Sequence, residues 1–129
     1  MMPFMSKNRL TTQDRLSQIA ESILIIKERC KNIHTPDDFL ISPDNMTIFD
    51  SCVMRLQTIG EQVGRLLKEE NSPLEQYKEI PWKAIYDMRN FISHEYANID
   101  EFIIFTTIKE DLPGIEPAIN KMLQEYSHQ

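Results

Sequence analysis

The sequence predicts an all-α protein, a bundle of four to five helices. Three observations carry this prediction. Apolar residues recur every three or four positions along the 129-residue chain, which is the period of one face of a helix. Glycine occurs only three times, at positions 60, 64 and 114, too sparsely for a turn-rich β-sandwich. Residues that open or break helices separate the periodic stretches.

Thr11-Thr12-Gln13-Asp14 opens the first helix, because hydroxyl and carboxylate side chains satisfy the free N–H groups of a first turn. Leu16, Ile19, Ile23 and Ile26 then mark its buried face. The helix is expected to fade near Asn32–His34, ahead of Thr35-Pro36-Asp37-Asp38. Phe39, Leu40 and Ile41 tuck a short connection against the core. Ser42-Pro43-Asp44 is a second start signal, with proline suited to a first helical turn. Ile48, Cys52, Leu56, Ile59, Val63 and Leu66 form a long apolar stripe, ending around Glu69–Asn71 where Asn71-Ser72-Pro73 breaks it. Gly60 and Gly64 fall inside this helix, where each costs about 1 kcal/mol relative to alanine. Glycine at such a spacing lets another helix approach closely. A phosphate-loop role has poorer support, since no GxxxxGK sequence exists.

Ile80-Pro81-Trp82 opens a third helix, with Trp82, Ile85, Met88 or Arg89, and Ile92 along one side. Asn98-Ile99-Asp100 marks a break and a new cap. Phe102, Ile103, Phe105 and Ile108 begin a fourth helix, and Asp111-Leu112-Pro113 ends it or starts a last one. Ile115, Ile119, Met122 and Leu123 give the final apolar face. With no internal repeat and no linker, residues 1–129 read as a single domain with one core. Residues 1–9 and 126–129 are expected to fray.

Composition narrows the function. The formal net charge is -6 and the sequence pI about 5.0. Broad attraction to nucleic acid shows as excess positive charge, so contact with RNA requires a local cationic site. Cys30 and Cys52 are isolated from each other in sequence, and the three histidines do not cluster with them, so no metal site is expected. Two free thiols fit a reducing cytoplasm. The first residues lack the pattern of a signal peptide. The run Ile23-Leu24-Ile25-Ile26 stops at Lys27, far short of membrane-spanning length.

One stretch carries chemistry: Met88-Arg89-Asn90-Phe91-Ile92-Ser93-His94-Glu95-Tyr96. Arginine is a permanent cation whose fork of donors fits a phosphate. Histidine moves protons near neutral pH. An RNA backbone supplies its own nucleophile, the 2′-hydroxyl. Its cleavage then needs a base, an acid and a cation for the developing phosphorane charge, without a metal.

Helical residues turn by about 100° each, so Arg89 and His94 stand about 140° apart. A regular helix would not aim both at one small target. Either the helix ends or distorts near Ser93–Glu95, or two copies pack so that the groups of both face one groove. The bland alternative pairs Arg89 with a carboxylate such as Glu61 and makes His94 a helix cap. Glu61 would then orient Arg89 or be solvated. For a lone Arg-x4-His the bland alternative prevails, because matches this short are cheap. Arg55, Arg65 and Lys68 read as a wet face, with lining of an RNA groove as the lesser option.

The context shifts that balance. The stretch from Ile80-Pro81-Trp82 through Met88-Arg89-Asn90 to His94-Glu95-Tyr96 resembles the signature of the HepT-like toxins of the HEPN superfamily. The resemblance extends to Asp14, Phe39, Ile59-Gly60-Glu61, the Asp100 region and Asp111-Leu112-Pro113, covering roughly residues 10 to 125. It implies a HEPN-like bundle and a homodimer whose two motifs meet in a cleft. It implies metal-independent endoribonuclease activity with no cofactor, with Arg89 and His94 as the catalytic pair. Asn90 would touch phosphate or steady the histidine. It also implies a nucleotidyltransferase antitoxin as partner, able to transfer AMP to Tyr96. A bulky anion beside Arg89 would compete with RNA. The alternative from another class is a non-catalytic subunit that binds a nucleotide or the nucleotidyltransferase.

Overall fold

The computed structural model describes residues 10–94 and 99–127, and the backbone alone for Phe91, Ser93, His94 and Ser127. The described residues are helical, with no strand among them. Helix α1 spans Thr12–Arg29, α2 Pro43–Leu67, α3 Trp82–His94, α4 Glu101–Thr106 and α5 Leu112–Ser127. Short 3₁₀ segments, Pro36–Leu40 and Pro73–Tyr77, fill the two longer connections. The all-α, HEPN-like bundle expected from the sequence is what forms.

The start signals act as their chemistry requires. The Thr11 hydroxyl accepts from the Asp14 N–H, and the Asp14 carboxylate accepts from the Thr11 N–H. These bonds hold the Asp14 carboxyl below the usual carboxylate range. Ser42 caps α2 through the Asn45 N–H, with Pro43 following. Asp38 accepts from the backbone N–H groups of His34 and Thr35, which lowers its pKa. Both carboxylates bind protons more weakly folded than unfolded. Their stabilising contribution is present above the ordinary carboxylate pKa and is lost as pH falls through the lowered value.

Helix α1 stops at Arg29, with Cys30 as its cap, slightly before the expected fade at Asn32–His34. Helix α2 ends at Leu67. Beyond it Asn71 adopts a positive φ of 59°, a conformation that asparagine tolerates better than most residues, and the chain turns there.

The helices lie side by side in the order α3, α2, α1, α5. Arg15 bonds Gln62 and pairs with Glu69 at one end of the α1–α2 pair. Arg29 bonds Ser51, and Cys30 meets Cys52, at the other, so these two helices are antiparallel. Lys27 pairs with Glu116 where α5 begins, and α5 returns along α1. The core gathers the predicted stripes: Leu16, Ile19, Ile23 and Ile26 from α1, Cys52, Leu56, Ile59, Val63 and Leu66 from α2, and Ile115, Ile119 and Met122 from α5 are all buried, as is Phe39. Each such side chain contributes about 1.5–3 kcal/mol of transfer free energy. Cys30 and Cys52 sit in this core with their sulfurs 3.2 Å apart as free thiols. The Cys30 sulfur and burial push the Cys52 thiol up.

Asp100 caps α4 through the Phe102 N–H. The fourth and fifth helices prove to be one rod. A π-helical turn over Thr107–Asp111 joins α4 to α5 without a break. The Leu112 N–H reaches back five residues to the Thr107 carbonyl, which widens the turn just before Pro113. Proline lacks an N–H, and its ring crowds the preceding turn, so a locally widened helix is the form in which Asp111-Leu112-Pro113 continues rather than stops. No helix among the described residues is long and apolar enough to cross a membrane.

Candidate functional site

Helix α3 packs chiefly on α2, and two glycines set how closely. A Cβ at Gly60 would stand 2.9 Å from the Arg89 Cβ and 3.2 Å from the Ile85 carbonyl oxygen. A Cβ at Gly64 would stand 2.3 Å from two ring carbons of Tyr86. The close-approach role expected of these glycines is therefore literal: the α3 backbone at Arg89 rests on Gly60. The contacts of 60 with 85 and 89, and of 64 with 86, also show that α3 runs antiparallel to α2.

Arg89 is consequently half-buried at its root. Its Nε is shut off from water with no acceptor, an arrangement that costs about 1–3 kcal/mol. Its Nη1 donates a hydrogen bond to the Asn90 side-chain oxygen at 3.3 Å, its one side-chain partner among the described residues. Asn90 thus steadies the arginine. Glu61, one turn below Arg65 on α2, shares a cavity with Arg89, but no ion pair joins them. The buried Arg89–Glu61 pair of the bland alternative is absent, and Glu61 is exposed.

That cavity holds about 210 Å³ and is lined by Glu61, Gly64, Arg65, Lys68, Tyr86 and Arg89. Three of its six residues are cations and one is an acid. Arg65 and Lys68 read from the sequence as a wet face. They are exposed, yet the packing of α3 brings Arg89 beside them. No spacing within the sequence could reveal this, because it depends on which residue of α3 meets Gly64.

The backbone is helical through His94, so positions 89 and 94 stand about 140° apart around the α3 axis. Up to His94 the chain takes no turn out of the helix that would bring both positions to one face. Tyr96, and any distortion at Glu95, lie outside the described residues.

A larger cavity lies elsewhere. About 700 Å³ opens between α3 and the α4–α5 rod, floored by Ile80, Ile85, Met88 and Ile115. Glu79, Asp87, Glu110 and Asp111 stand around it. Size alone would favour it as a ligand site, but four carboxylates repel a phosphate. For an anionic substrate, the smaller cationic cavity is the chemically competent one.

Comparison with known proteins gives the same direction. The chain is 33% identical over 115 residues to a candidate RNase of Caldanaerobacter subterraneus subsp. tengcongensis, covering 89% of this chain and 96% of that protein. It is 32% identical over 110 residues to a probable ribonuclease HepT of Thermococcus cleftensis, covering 85% and 94%. A Methanocaldococcus jannaschii protein named as a gamma-glutamylcyclotransferase and candidate RNase is 33% identical over 110 residues, and the chain spans 46% of its length. No solved structure matches the chain significantly. The profile of the Ribonuclease HepT-like family matches residues 19–122, most of the bundle and all of α2 and α3, and the chain belongs to that family of the HEPN superfamily.

Proposed function

We propose that this chain is a metal-independent endoribonuclease that works in the cytoplasm as the toxin of a toxin–antitoxin pair. Its active site would be a homodimer cleft holding Arg89 and His94 of both copies. The observation that carries this is Arg89 itself, a guanidinium at the wall of a cationic cavity, with a neutral acceptor in Asn90 and no counterion among the described residues. In a chain of net charge -6, a carboxylate partner would be easy to supply. An arginine kept without one is suited to an anion that arrives from outside.

His94 of one copy takes the proton of the RNA 2′-hydroxyl, and the 2′-oxygen bonds to phosphorus. Arg89 balances the charge on the phosphorane oxygens. The bond to the 5′-oxygen then breaks, and that oxygen takes a proton from the second copy's histidine. The products are a 2′,3′-cyclic phosphate and a 5′-hydroxyl. A helix that stays regular through His94 supports the dimer, since one chain alone would aim the two groups apart. The exposed apolar side chains of Phe102 and Ile103 on α4 support it as well.

The purified chain is expected to cut single-stranded RNA in excess EDTA and to leave cyclic phosphate ends, read by phosphatase-resistant end-labelling. Cleavage that vanishes in EDTA would refute metal independence, and intact RNA in either buffer would refute the enzyme. The partner is a nucleotidyltransferase that transfers AMP to Tyr96, placing an anion in front of Arg89. Co-expression with such a partner should add one AMP to the peptide containing Tyr96 in mass spectra and silence cleavage. A Tyr96→Phe chain that is still silenced and still modified would remove Tyr96 from this role.

A further inference from the structure

We infer that Arg65 and Lys68 form a second phosphate subsite, which holds the RNA strand at the phosphate next to the one being cut. The inference rests on the endoribonuclease reading and extends it from the scissile group to the flanking strand.

Arg65 stands in the last turn of α2 and Lys68, three positions on, is the residue that caps that helix, so the two lie close together at its C-terminal end. Both are exposed and both line the cavity that Arg89 closes from α3. Arg15, Lys27, Lys31 and Lys83 each have an acidic partner within 4 Å. Arg65, Lys68 and Arg89 have none among the described residues. Three unpaired cations against the single carboxylate of Glu61 give the cavity a local charge near +2 in a molecule of net charge -6. This is the local cationic site that RNA contact demands of an acidic protein.

Shape agrees with charge. Gly64 lies between Glu61 and Arg65 in sequence and presents no side chain, so the Tyr86 ring packs directly against the α2 backbone and forms part of the cavity wall. Lysine and arginine at one exposed helix end suit a phosphodiester, whose oxygens offer acceptors in several directions. Arg65 and Lys68 lie on the neighbouring helix, displaced from Arg89. They can grip a second phosphate while Arg89 holds the first.

The test uses two RNAs and the full chain. The first is an oligoribonucleotide with 2′-O-methyl sugars, which binds but cannot be cut. For Arg65→Gln/Lys68→Gln, the slope of log affinity against log salt should shrink by about 0.7, the value of one phosphate contact on a single strand. Arg65→Lys/Lys68→Arg should keep the wild-type slope. The second is a cleavable RNA. There KM should rise with kcat unchanged, whereas a dinucleoside monophosphate, which has no flanking phosphate, should be cut equally by wild type and double variant.

An unchanged salt slope and KM would overturn the subsite. Equal losses on the dinucleoside monophosphate would overturn it too, by placing both residues at the scissile phosphate. A wild type that binds the methylated RNA without ever cutting RNA would refute the endoribonuclease reading alone, and the slope would still decide the subsite.

Discussion

Arg89→Ala should lower kcat/KM on RNA by roughly 10²–10³, the usual effect of deleting one preorganised donor to a developing oxyanion. His94→Ala should lower it by roughly 10²–10⁴, the span of general acid–base contributions. The fold should survive both changes. For Arg89 this follows from the contacts among the described residues: its Nε has no acceptor, and its one hydrogen bond there is to its neighbour Asn90. Truncation at the Cβ forfeits no ion pair with a described residue and removes an unsatisfied N–H from the interior. The melting temperature is therefore expected to hold, and far-UV circular dichroism to match the wild type.

A structural arginine would behave in the opposite way, with melting lowered and catalysis affected only through unfolding. Arg89→Lys should recover little, because an ammonium cannot offer the planar pair of donors. Wild-type cleavage by a folded His94→Ala chain would end the catalytic assignment.

Gly60→Leu should destabilise the bundle by roughly 3 kcal/mol, the upper range for overpacking, and lower the melting temperature by roughly 10 °C for a chain of this size. Even a methyl at this position would meet the Arg89 Cβ at 2.9 Å and the Ile85 carbonyl at 3.2 Å. The second of these is backbone, which cannot rotate aside, so α3 itself must retreat. Activity should fall by more than the folded fraction explains, because the displaced residue is Arg89. Gly114→Ala is the matched control. It too lies inside a helix, but an added Cβ there meets nothing within 4 Å. It should gain up to about 1 kcal/mol from helix propensity alone. Thermal melts of the two variants beside wild type decide the point: equal behaviour would deny the close contact at Gly60.

Much of this architecture is legible in one dimension. The Thr11–Asp14 and Ser42–Asn45 caps are local, three residues apart, and their chemistry is complete within a turn. The stripe from Cys52 to Leu66 is periodic and needs no partner to be recognised. The glycine pair announces that some helix comes near. What sequence could not supply was which helix, and at what register. Arg65 and Lys68 look like ordinary solvated cations until Arg89 is set beside them, and that requires the pairing of 60 with 89 and 64 with 86.

The joint between α4 and α5 was obscure for a different reason. Pro113 is a reliable stop in a regular helix, but it can be carried through where the preceding turn opens to a five-residue reach. The bland alternative paired Arg89 with a carboxylate such as Glu61. It fails because the α3–α2 contact seats Arg89 against Gly60 and leaves Glu61 out in solvent.

The two sulfurs between α1 and α2 have a practical consequence. Cys30 and Cys52 are all the thiols the chain has, and neither is exposed by more than 1%. A bulky alkylating reagent can reach them only when the packing around α1 opens. The rate at which such a reagent consumes thiol then becomes an internal clock for the opening of the molecule, read without any engineered label and far from Arg89 and the groups that would touch RNA.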